Sequence, residues 1–298
     1  MNILKANYLL LFTPILLLAF KTSYGQLPDL AKALYRLSPE DSAGITSLLN
    51  NGVQVNKGKT IAWFPKDSLS VKRMNEFVDT INLGIAAAEK FIGAPLAWQH
   101  HKKEEAYTYF FRTDSFISRS HGGFISIRFP LVRQGHAPWL HEVMHEMLEA
   151  KANDSIPGSA WRENMPHWLV EGLPEYIARE VYQQFGWAYF DLSRKVIIDM
   201  DSACKEDLNN ENGKYALSYI GKRGRLGDLA TQGNREKYAF AFYHCSCSFT
   251  KYLVEQKGLT TVLNSFAASP YVQQAFEKST NSSIEILKKS WLNKLQVE

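Results

Sequence analysis

Cysteine is scarce in this chain, with Cys204, Cys245 and Cys247 the only three in 298 residues. That excludes a small disulfide scaffold. With no second cysteine pair to complete a tetrahedral set, it also disfavours a cysteine-rich zinc site. Charge of one sign is equally lacking. There are 34 basic and 30 acidic residues, a formal net charge of +4, and two of the lysines, Lys5 and Lys21, lie in the leading segment. No basic stripe and no acidic tail is present, so nucleic acid is not expected as a partner. No stretch beyond the leading segment reaches the ~20 apolar residues of a membrane-spanning helix, so no stable span is expected once a leader is removed. Internal repeats and low-complexity tracts are absent too.

What remains is ordinary globular composition, 45% hydrophobic and 21% charged, enough to bury a sizeable core. At the N-terminus Lys5 precedes an apolar stretch from Tyr8 to Phe20, and Ser23-Tyr24-Gly25 follows before Gln26. This pattern predicts a signal peptide over 1–25 and export to the periplasm or the extracellular space. An uncleaved anchor is the alternative. In an exported chain Cys204 can pair with Cys245 or Cys247, which are too close to bridge each other. A free thiol is left under any pairing, and three unpaired thiols is the other reading.

Apolar spacing and turn residues divide the rest. Residues 27–55 read as mostly helical. Lys59–Phe64 reads as a strand stopped by Pro65, and Val71–Ile92 as a helix stopped at Gly93. Ala106–Phe111 and Phe124–Leu131 are further strands. This makes an α/β part over 26–135. From Pro138 onward the spacing is helical over Leu140–Lys151, Pro166–Phe185, Tyr238–Gln256, 259–277 and 283–296. Residues 187–233 read as a loop-rich insertion. The expected class is α+β, with 136–298 as the helical part of one compact unit.

The chemistry is concentrated in His141-Glu142-Val143-Met144-His145. On a helix, positions i and i+4 share a face, so both imidazoles can meet one metal ion while Glu142 reaches a water beside it. Leu140, Val143, Met144, Met147 and Leu148 would supply the apolar face of that helix. The next helix carries Trp168-Leu169-Val170-Glu171-Gly172-Leu173-Pro174-Glu175-Tyr176.

Over residues 137–176 the sequence resembles the gluzincin superfamily of zinc peptidases, and most closely its peptidase MA-like set. The resemblance implies a zincin-like fold, with a small mixed sheet whose edge strand, residues 124–129, pairs with an extended peptide or protein substrate. It implies one Zn2+ ion held by His141, His145 and Glu171, with Glu142 as general base and Glu175 orienting a ligand histidine. It also implies an oxyanion-stabilising tyrosine after the third ligand. Tyr238 stands at about the right separation, and Tyr243, His244 and His167 compete with it. The metzincin third histidine is missing, since Lys151 occupies that position. The Gly-x-Met-Glu-Asn segment of gluzincin aminopeptidases is missing as well. Gly122-Gly123-Phe124-Ile125-Ser126 stands there, which argues for an endopeptidase or a narrower hydrolase. A peptidase-like binding protein without activity, or a zinc hydrolase acting on a non-peptide amide or ester, would share these features.

Overall fold

The computed structural model describes residues 37–93, 107–114, 119–120, 124–129, 140, 142, 166–187, 199–222, 235–266 and 271–296. The leader over 1–25, His141, His145 and most of the expected helix Leu140–Lys151 lie outside the described residues.

The first helix, α1 (Pro39–Asn51), begins where the Ser38 hydroxyl accepts from the Asp41 N–H at 3.1 Å, with Glu40 and Asp41 in the favourable first turn. It stops at Gly52. The expected helix through residue 55 is therefore corrected, because Val53–Lys57 forms a strand, β1. Gly52 is extended there, and Gly58, at φ 59°, makes the tight turn into β2 (Thr60–Phe64). Helix α2 (Val71–Ile92) runs as the spacing predicts, from a Ser70 cap to Gly93 at φ 70°. Strands β3 (Tyr107–Arg112), β4 (Arg119–Ser120) and β5 (Ile125–Arg128) complete a five-stranded sheet in the order β1-β2-β3-β5-β4. Its inner pairs are parallel and its outer pairs antiparallel.

The sheet is thus mixed, as expected, but 124–129 is not its edge. The two-residue β4 folds back and pairs Ser120 with Ile125 and Arg119 with Ser126. Strand β5 is held on both sides, and the outer position belongs to β4.

Alternation sends successive side chains to opposite faces. Ala62, Phe64, Tyr109, Phe111, Ile125 and Ile127 enter the main core with α2 and the helices that follow. Ile61, Trp63, Phe110 and Phe124 meet Ile45, Leu48 and Leu49 of α1 in a smaller core. Arg112 fastens α1 to this second face. Its Nη1 lies 2.5 Å from Asp41 Oδ1, and its Nε and Nη2 each donate to Asp114 at 3.0 Å. Gly44 allows this approach, because a Cβ there would strike the Arg112 and Asp114 side chains.

The remaining described chain is helical: α3 (His167–Gln184), α4 (Met200–Leu208), α5 (Glu211–Leu217), α6 (Arg235–Lys257), α7 (Leu259–Phe266), α8 (Val272–Thr280) and α9 (Ile284–Leu295). Two expectations change. Residues 199–217 of the supposed loop-rich insertion carry α4 and α5. The stretch 259–277 divides into α7 and α8. A Cys204–Cys245 disulfide, Cα atoms 4.7 Å apart, ties α4 to α6, and Cys247 is a buried free thiol. Beside it the buried His244 Nδ1 lies 2.6 Å from Asp207 Oδ2. One turn on, Lys251 Nζ and Ser248 Oγ both donate to Asp201, and the buried Trp291 Nε1 of α9 donates to Ser248 Oγ at 2.9 Å.

Arg112 is only 2% exposed, so replacing it removes a buried guanidinium from beside Asp41 and Asp114. Arg112→Met should cost about 3 kcal/mol in denaturant unfolding. The Arg112 hydrogen bonds hold the Asp114 carboxyl below the usual carboxylate range. A carboxyl depressed on folding stabilises the fold above its unfolded value, near pH 4, and loses that contribution as pH falls through the folded one. The urea midpoint of the wild type should therefore fall below about pH 4 more steeply than that of Arg112→Met.

Candidate active site

Helix α3 brings the second half of the sequence pattern into the core. Trp168, Leu169, Val170, Leu173 and Ile177 are all buried, and Glu171 sits among them with its residue 9% exposed. A carboxylate in such surroundings requires donors or a cation around it. One neighbour is His167, a helical turn earlier, whose Nε2 is 3.0 Å from Glu171 Oε1. The His167 ring stacks on Phe242 of α6, with centroids 5.6 Å apart and planes 23° from parallel.

Gly172 explains the motif's glycine. A Cβ there would run into the Ser246 carbonyl and the Thr250 hydroxyl of α6, so α3 and α6 touch backbone to backbone immediately after Glu171. Trp168 packs on Phe249 with centroids 5.1 Å apart, and Phe249 packs on Trp291 of α9 at 5.0 Å. Together these contacts fix the turn of α3 that carries Glu171. Pro174 lies inside the helix and has no N–H for the Val170 carbonyl.

Glu175 lies one turn beyond Glu171 and accepts from Arg179 Nε at 2.9 Å. The histidines it was expected to orient lie outside the described residues. Leu140 and Glu142 are helical, with Leu140 wholly buried in the main core. Burial pushes the Tyr109 phenol of β3 up strongly, and the charges of Tyr107, Tyr182 and Glu142 add to it. Glu142 is thus within electrostatic reach of the central strand. The Tyr182 phenol is likewise raised by burial and then by the charge of Glu175.

The four candidate oxyanion donors are placed differently. His167 meets Glu171. The Tyr238 ring packs on Tyr215 of α5 at 4.8 Å, and no described contact joins Tyr238 to Glu142 or Glu171. It does lie one helical turn before Phe242, the residue under His167. Tyr243 packs edge-on against Phe242. His244 points the other way, into its buried pair with Asp207. Phe124, Ile125 and Ser126, in the stretch where aminopeptidases of the resembled group bind the substrate amine, are buried in the sheet.

Among the described residues no group of three or more His, Cys, Asp and Glu side chains gathers to hold a metal, and His141 and His145 are not among them. What the described residues add is Glu171, an oxygen donor buried in an apolar setting, which fits the carboxylate ligand of a zinc site with two imidazoles. No protein-family model matches the chain, and no curated protein matches it.

Sequence reasoning missed the His167–Glu171 contact, although the i, i+4 spacing was visible, and it gave Gly172 no packing role. A methyl group at 172 should force α3 off α6 at the level of Glu171. Gly172→Ala is expected to lower stability by about 2 kcal/mol in thermal unfolding.

Proposed function

We propose that the chain is an exported zinc-dependent peptidase of gluzincin type, on a zincin-like fold, hydrolysing peptide bonds within a peptide or protein substrate. The observation that carries this reading is the burial of the Glu171 carboxylate in a fixed turn of α3, downstream of His141-Glu142-Val143-Met144-His145. Together a buried carboxylate and two imidazoles at metal-ligand spacing make up a three-ligand set.

In this reading His141, His145 and Glu171 hold one Zn2+ ion. Zinc bound there supplies Lewis acidity, which lets a water molecule ionise near neutral pH. Glu142 takes the proton of the attacking water and delivers it to the leaving nitrogen. Helix α3 keeps Glu171 fixed through its contact with α6, so the carboxylate needs no reorganisation. Glu175, tied to Arg179, orients a ligand imidazole. Tyr238 donates to the developing oxyanion. Export is supported by the Cys204–Cys245 disulfide, a bond uncommon in reducing compartments, and by the apolar leader. No described helix is long and apolar enough to cross a membrane.

Two substitutions test the reading. Glu142→Gln should retain one zinc per chain by atomic absorption and lose hydrolysis of a general peptide substrate by about 100-fold or more. Residual activity near wild type would refute the role of Glu142. Glu171→Ala should lose the metal, and unchanged zinc content would remove Glu171 from the ligand set.

A further inference from the structure

We infer that His167 is a positioning residue for the metal site, holding Oε1 of Glu171 so that the other carboxylate oxygen is the one presented to the ion. The inference rests on the reading of Glu171 as a ligand. A glutamate can bind a metal through one oxygen or two, and it swings freely between these modes unless one oxygen is engaged elsewhere. Here Nε2 of His167 stands 3.0 Å from Oε1, within reach of an N–H···O bond, and the partners share a helix face at i, i+4. The donor is itself fixed. The imidazole lies nearly flat on Phe242, which sets the plane of the ring and therefore the direction of its N–H. The acceptor is fixed too, because the missing Cβ of Gly172 seats this turn of α3 on the Ser246 carbonyl. Donor and acceptor thus belong to one rigid corner between α3 and α6, the arrangement by which outer hydrogen bonds set ligand orientation and basicity.

This role differs from donation to an oxyanion. It requires Nε2 to be occupied by Glu171 rather than pointed at substrate, and it shows in metal binding without any substrate present.

The test uses the full chain loaded with zinc and three variants. His167→Phe keeps an aromatic ring on Phe242 and has no N–H, His167→Leu serves the same purpose should the larger ring not be accommodated, and His167→Gln restores a side-chain N–H. Zinc affinity is read by chelator competition, and the geometry by the visible absorption of the cobalt-substituted protein. His167→Phe should bind zinc about 10–100-fold more weakly than wild type, with altered cobalt bands and an unchanged melting temperature of the metal-free protein. His167→Gln should recover most of the affinity. Wild-type affinity and spectrum in His167→Phe would overturn the inference, as would a His167→Gln variant as weak as His167→Phe. If wild type and Glu171→Ala bind zinc equally, or wild type binds none, the underlying reading falls instead and takes this inference with it.

Discussion

The contact of α3 with α6 at Gly172 is the constraint on which the site depends. It brings two helix backbones together without an intervening side chain, and it has a cost. Among the described residues the Ser246 and Thr250 hydroxyls and the Trp168 N–H are buried there without hydrogen-bond partners, each worth on the order of 1 kcal/mol. The cost is offset by the aromatic column Trp168–Phe249–Trp291, which runs from α3 through α6 to α9, and by two bonds from α6 to Asp201 of α4. What the close approach achieves is placement. His167, Glu171 and Glu175 lie along one side of a helix that cannot slide or roll on its neighbour.

The sheet is the other layer of the main core. Its central strand β3 buries Tyr109 in the main core and turns Arg112 toward α1 on the other face. One strand therefore serves both cores. The Arg112 cluster has no direct part in the proposed chemistry, but it holds the covering helix under the central strand. Tyr109 and Tyr182 put buried phenols into the main core.

Elements marked by their own residues were legible in the sequence. Helix α2 runs from its Ser70 cap to Gly93 as its apolar spacing predicts, and β2, β3 and α3 lie within a residue or two of expectation. The errors fall where tertiary pairing overrode local signal. Strand β1 is a polar segment that becomes a strand because β2 offers it a partner. Strand β4 is two residues long and has no periodicity to detect, yet it removes β5 from the edge. Helices α4 and α5 are short and polar, and they are held by α6 rather than by propensity. For the site, the types and spacing of the candidate residues could be read directly. The partner of His167 and the reason for Gly172 could not, since both depend on where α6 crosses α3.

The cysteines of α6 sit two residues apart, which is about 200° around a helix. Cys245 therefore faces α4, while Cys247 lies buried toward Arg179 and Glu175 of α3. Joining Cys204 to Cys247 instead would require α6 to rotate by roughly that angle, carrying Ser246 away from Gly172 and Phe242 away from His167. The covalent bond on one side of α6 thus acts as a check on its rotation for the other side. A chain oxidised in the right pairing has the α6 surface that α3 needs already turned toward it.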